Sequence, residues 1–263
     1  MKNSVITANP TLTTSSNNTS DASGLYKSTA TNTGEATYYF RGNVENNYVS
    51  FAGQTWRIVR INEDGTIRIV MQDGINSNAN IALNSNRNNY TYMYYTNSQA
   101  KTQLESWYQT NIGSKTNLTS KVASGAYYCE QSKAKVDSSW TSGSANMTLY
   151  SSYTPDFKCS SDGNNKGVVN ASVGLLSYDE VVYAGGYRGQ SNNSYYLYNN
   201  TYFWTMSPAG FSGSDSYVWN VYTTGNINGV NVSNAAAVRA VLNLTADTLA
   251  TGSGTSSDPF VIG

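Results

Sequence analysis

Asp179 and Glu180 stand side by side in the stretch GLLSYDEVVYAGGY and form the chain's most suggestive pair for acid–base work. Two carboxylates can divide proton donation and proton abstraction when their surroundings push their pKa values apart, as in glycoside hydrolysis. The same residues also have a plain structural use. Ser177 and Glu180 have capping-box spacing, two acids suit the positive start of a helix, and Gly185-Gly186 ends it. The structural use outweighs the catalytic one, and a glycosidase using Asp179 or Glu180 is the least poor enzymatic reading. Histidine is absent from all 263 residues, which removes the commonest general base and metal ligand and excludes a Ser–His triad. GFSGS around Ser212 is not a nucleophile elbow, which needs Gly-x-Ser-x-Gly between strand and helix. No loop has the acidic spacing of an EF-hand. The expectation is therefore no catalytic residue, no cofactor and no metal. Cys129 and Cys159, in a Ser/Thr/Asn-rich chain with an exported composition, read as one disulfide.

A different chemistry is available in VWNVYTTGNINGVNVSNAAAVRAV, Val218 to Val241. Val, Trp and Ile recur like the ribs of strands, and the residues between them are almost all Asn, Ser, Thr, Tyr, Gly and Ala. Tyrosine is abundant in the whole chain, at 22 residues, while only 12% of residues are charged and the net charge is zero. Tyr, Ser, Asn and Gly are the palette of recognition loops, with rigid amphipathic rings beside small adaptable hydrogen-bonding groups. The neutral balance argues against nucleic acid, and no apolar run is long enough for direct insertion into a membrane. The expected partner is a protein or glycan ligand on another cell or on a host surface.

The elements that would position this stretch are legible from periodicity. Residues 1–22 are Thr/Ser/Asn-rich without a period and read as a disordered tail or linker, and residues 23–263 as one domain. QTWRIVRINEDGTIRIVMQ alternates around a turn at Gly65, giving a central β-hairpin. Ala100, Leu104, Trp107, Tyr108 and Ile112 share a helical face that Asn97 or Ser98 can cap. From Tyr195 onward the pattern is β again: FWTMSPAGF as a strand entering a Pro/Gly loop, a hairpin around Gly225, a buried AVRAVLNL and a closing DPFVIG. The class is α+β, with mainly antiparallel sheets, two helices and long loops.

The ordered blocks YYFRGNVENNYVSFAGQTWRIVRINEDGTIRIV, GLLSYDEVVYAGGY, FWTMSPAGF, VWNV and AVRAVLNL…SGTSSDPFVI resemble a family of surface proteins from Gram-positive and related gut bacteria. Their C-terminal halves are similar to C-type-lectin-like domains, the fold that includes the sulfatase-modifying-factor type. Some members of that fold are the variable proteins of diversity-generating retroelements, in which adenines of Asn codons are changed while an aromatic strand frame is kept. The resemblance implies a C-type-lectin-like fold from about Gly24 and an extracellular or cell-surface location, with a signal or anchor upstream; a phage particle is the other setting. It also implies an adhesin-like or receptor-like role for Ser214–Ala237. Its candidate variable positions are Ser214, Asp215, Ser216, Tyr217, Asn220, Tyr222, Thr223, Thr224, Asn226, Asn228, Asn231, Ser233, Asn234, Ala235, Ala236 and Ala237, all within the set reachable from such codons. The sequence departs from calcium-dependent lectins, because Trp219-Asn220 is followed by Val221 where an Asp would stand. The alternative is a structural surface or pilus-like subunit without a variable site. On the recognition reading, Trp204, Trp219, Val221, Ile227, Val238 and Val241 are buried. Tyr217, Asn220, Tyr222, Thr224, Asn226, Asn228, Asn234 and Ala235–Ala237 are exposed on one face, by strand alternation.

Overall fold

A computed structural model describes residues 1–9, 11–12, 22–130, 154–159, 167–212 and 214–263. The stretch read as a loose tail opens with a helix, α1 (Lys2–Ala8). Val5 is fully buried, and the Met1 ammonium donates to the Thr248 carbonyl at 3.1 Å. Met1 and Val5 are four residues apart and so share a helical face, a two-residue signal that the polar composition masks. Residues 10 and 13–21 of the expected tail lie outside the described residues.

The chain then lays down β1 (Thr11–Leu12), β2 (Gly24–Ser28), β3 (Thr37–Arg41), β4 (Tyr48–Phe51), β5 (Gln54–Ile61) and β6 (Ile67–Met71). β5 and β6 are the expected hairpin: Asp64 Oδ1 accepts from the Thr66 amide at 2.9 Å, and Gly65 takes the left-handed φ of +85° that the turn requires. β5 is central. Its one edge pairs with β6, and the other is shared between β4 and β3. After the short β7 (Ile81–Ala82) comes α2 (Gln99–Tyr108), capped by Ser98, whose Oγ accepts from the Lys101 amide. Its buried Ala100, Leu104 and Trp107 are the expected face, and a π turn at Gln109–Gly113 carries Ile112 inside as well. β8 (Tyr127–Cys129) and β9 (Val168–Asn170) pair with each other. Cys129 is disulfide-bonded to Cys159, with 5.6 Å between the Cα atoms.

Next is α3 (Tyr178–Ala184), which has the full capping box of Ser177 and Glu180 and ends at Gly185, φ +121°. A second sheet follows, in the order β10 (Tyr187–Arg188), β13 (Asn226–Asn231), β12 (Ser216–Val221), β11 (Phe203–Phe211). β11 runs through Pro208 and Gly210 instead of ending in a loop there, with register shifts on both sides of Pro208. Proline has no N–H to give a ladder, and such shifts accommodate it. β14 (Ala235–Ala236) pairs with β7, β15 (Val241–Leu244) with β6, and β16 (Phe260–Val261) in parallel with β4. The closing strand therefore returns to the sheet built first. The fold is mixed α+β, dominated by sheets.

The two sheets meet through α3, and Glu180 is the joint. Its Oε1 lies 2.6 Å from Arg68 Nε on β6 and 3.4 Å from Arg60 Nε on β5, while Oε2 accepts from the Ser177 amide at 2.9 Å. All three charged side chains are at most 4% exposed. Burial opposes the charge on Arg60, but Glu180, Tyr127 and Glu63 outweigh it and hold its pKa above the ordinary value. At the other end of α3, Arg41 donates to the Val182 and Tyr183 carbonyls at 2.8 and 2.9 Å, covering acceptors that a helix C-terminus leaves open. Removing one member of a buried ionic group strands its partners in low dielectric and costs about 3–5 kcal/mol. Glu180→Leu is therefore expected to lower stability by about that amount in urea unfolding, whereas the exposed-pair variant Glu105→Gln should stay within about 0.5 kcal/mol.

Many tyrosines serve as core. Burial raises the pKa values of Tyr128, Tyr178, Tyr183, Tyr195 and Tyr196 far above the ordinary phenol value. An acid whose folded-state pKa is raised keeps its proton longer when folded, so its contribution is intact below the unfolded pKa of about 10 and is lost as pH rises above it. The urea midpoint is expected to be flat from about pH 7 to pH 9 and to fall steeply beyond about pH 10, with phenolate absorbance appearing together with unfolding.

Candidate functional site

Strand pairing sorts the second sheet into two faces. Asn220 lies opposite Asn228 and beside Trp204, while Val218 lies opposite Val230. These, with Tyr222, form one face. Trp219 opposite Gly229 and Val221 opposite Ile227 form the other, which packs onto α3: the Trp219 ring sits 4.9 Å from that of Tyr178. The frame residues Trp204, Trp219, Val221, Ile227, Val238 and Val241 are all buried. Alternation accounts for Trp219, Val221 and Ile227, whereas Trp204 lies on the cleft face and is covered there, its indole N–H donating to the Ile81 carbonyl at 2.9 Å. Gly225 makes the hairpin turn at φ +75°, and a Cβ there would strike the Asn192 carbonyl.

On the first face a cleft of about 370 Å³ opens between the sheet and the segment leading into β14. Its lining is Tyr202, Asn220, Tyr222, Val230, Asn234 and Ala235. Tyr202 is 42% exposed and meets Tyr222 nearly edge to face, with ring centroids 4.9 Å apart. Burial, and then the neighbouring Tyr202, raises the Tyr222 pKa, so Tyr222 is an uncharged phenol at neutral pH. Asn220 belongs to the lining yet is only 1% exposed, and neither Nδ2 nor Oδ1 has a hydrogen-bond partner. A carboxamide held this way costs about 1–3 kcal/mol per unsatisfied group.

The structure thus brings together four of the sequence candidates, Asn220, Tyr222, Asn234 and Ala235. It adds Tyr202 and Val230, which sequence reasoning missed. Tyr202 stands two residues before Trp204, so the same period-two argument places it on the cleft face. Val230 hides because a valine in a strand reads as core.

Other candidates lie elsewhere. Asn228 and Thr224 are exposed, and Asn226 uses its Oδ1 to accept from the Gly189 amide at 3.1 Å, which ties in β10. Asp215 is engaged by Arg87 at 2.9 Å and by Asn231 Nδ2 at 3.0 Å, with Ser214 Oγ donating to its second oxygen. That cluster fixes the far end of the hairpin. Tyr217 pairs with Asn231 and shares the Trp219 face, so the expected gathering of every candidate on one face does not occur.

Three candidates expected to be exposed are buried. Asn220 points to the outward face as alternation requires, but that face is itself covered around it. Ala236 and Ala237 are 2% and 0% exposed, because β14 pairs with β7 and the Ala237 amide donates to the Tyr202 carbonyl. Their small side chains let three backbone segments approach.

Asp179 and Glu180 border a space of only about 20 Å³, room for a single water and not for a sugar. Among the described residues no group of three or more Cys, Asp or Glu is placed to hold a metal ion, and no helix is long and apolar enough to cross a membrane. Compared with known proteins, the chain matches no family model, no curated protein and no solved structure.

Crowding separates the alanines. Ala237→Leu is expected to lower stability by about 1–3 kcal/mol through overpacking, and Ala235→Leu to stay within about 0.5 kcal/mol, as read from thermal melts of the two variants.

Proposed function

We propose that the chain is a surface recognition module with a C-type-lectin-like fold, and that it binds a protein or glycan ligand through the cleft between β12–β13 and the Asn234–Ala235 segment. The observation that carries this reading is the convergence of Tyr222, Asn220, Asn234 and Ala235 on one concave, uncharged site beside an exposed Tyr202. Aromatic anchors framed by small adaptable residues are how recognition surfaces concentrate binding energy. The disulfide fits a setting outside the cell, on a bacterial surface or a phage particle. Retroelement diversification is part of the same proposal, restricted by burial: Tyr222, Thr224, Asn228, Asn234 and Ala235 have room for other side chains, whereas Ala236 and Ala237 do not.

The structural-subunit reading draws on those two alanines and on the Arg87–Asp215–Asn231 cluster, where candidate residues serve packing. A printed array of bacterial and host surface glycans, together with the intact glycoproteins that carry them, separates the two. Recognition predicts a retained probe whose binding falls at least about tenfold in Tyr222→Ala, with the melting temperature unchanged within about 2 °C. A blank array, or a signal that Tyr222→Ala leaves intact, favours the structural subunit.

A further inference from the structure

The chemistry of the cleft narrows the ligand, an inference that rests on the recognition reading. Among the described residues no charged side chain lines it, so neither a carboxylate nor an ammonium group would find an opposite charge there. Four of its six residues end in phenols or carboxamides, which both donate and accept, and only Val230 and Ala235 offer an aliphatic wall. A peptide side chain would gain little from so small an apolar surface. A polyhydroxylated ring matches it better, with its C–H face against a phenol ring and its hydroxyls against the polar tips. Asn220 is the specific element: one amide plane with a free acceptor, Oδ1, beside free donors on Nδ2.

We propose that the cleft binds a neutral pyranose through a vicinal diol, without calcium, one hydroxyl donating to Asn220 Oδ1 and its neighbour accepting from Nδ2. The ring packs against Tyr222 or Tyr202. Both amide atoms are shut off from solvent, so the side chains that cover them turn aside as the sugar seats. Satisfying a buried donor and acceptor together makes the preference steep, since an analogue lacking one hydroxyl leaves its counterpart in the protein unpaired.

The test titrates the full chain with methyl glucoside, galactoside and mannoside and their monodeoxy analogues, by calorimetry or saturation-transfer NMR, with a metal chelator present. N-acetylglutamine N-methylamide serves as the peptide probe. At least one hexoside is expected to bind in chelator, and removal of one hydroxyl of the recognised diol should weaken it about tenfold or more. Asn220→Leu should weaken it to a similar extent without lowering the melting temperature. Ala235→Phe, made at an exposed position, should block the cleft and abolish binding, which keeps the test decisive should Asn220→Leu fold poorly. Hexoside binding that survives both variants, or that disappears in chelator, overturns the proposal. Binding of the glutamine amide but of no hexoside also overturns it and leaves the recognition reading standing. Silence from every probe here and on the array removes both.

Discussion

A buried carboxylate ties the first sheet to the second through α3. Glu180 caps its own helix and pairs with two arginines from adjacent strands of the larger sheet, with Glu63 giving Arg60 a second carboxylate. Through α3 it carries that sheet's orientation to Tyr178, and Tyr178 holds Trp219 of the second sheet. A buried ion pair is weak evidence for net stability, since its desolvation offsets most of the attraction. Its value here is geometric. The carboxylate accepts a helix amide and faces two guanidinium groups, so few other arrangements of strand and helix satisfy it.

The other buried arginines extend the same logic. Arg57 donates to Asn47 Oδ1 and the Val44 carbonyl, and Arg239 to the Met71 and Leu197 carbonyls, each stitching a loop or a strand end to a distant segment. Burial draws the Arg239 pKa down to about 10, still well above neutrality, so it holds its carbonyls as a cation under ordinary conditions. A chain with few charges spends several of its arginines inside. The exposed charges lie elsewhere on the surface, and among the described residues none lines the cleft.

The second sheet divides its labour by strand alternation. One face is anchored to α3 by Trp219, Val221 and Ile227. The other carries the cleft, and there the protein tolerates an amide with no partner. Unsatisfied buried polar groups are uncommon in native structures, and they concentrate where something other than stability has been favoured.

Local pattern determined a good deal: the β5–β6 hairpin with its turn at Gly65, both principal helices and their caps, the Gly225 hairpin and the inward face of Trp219, Val221 and Ile227. These depend on short-range physics, namely side-chain period, glycine's access to positive φ and the reach of Ser177 to Glu180, all of which are written in neighbouring residues. The disulfide, between cysteines 30 residues apart, is legible from composition and cysteine count instead. Tertiary structure alone decided the rest. It packed Met1 and Val5 of an apparent tail against the body, and it carried β11 through Pro208. It also buried Ala236 and Ala237 beneath pairings with β7 and β11, and assembled the cleft from Tyr202, Asn220, Tyr222, Val230, Asn234 and Ala235. Alternation tells which way Asn220 points but not what lies in front of it. That depends on how Tyr202, Asn234 and Ala235 are brought round it, and Ala235 is held in place by pairing with β7, more than a hundred residues earlier in the chain.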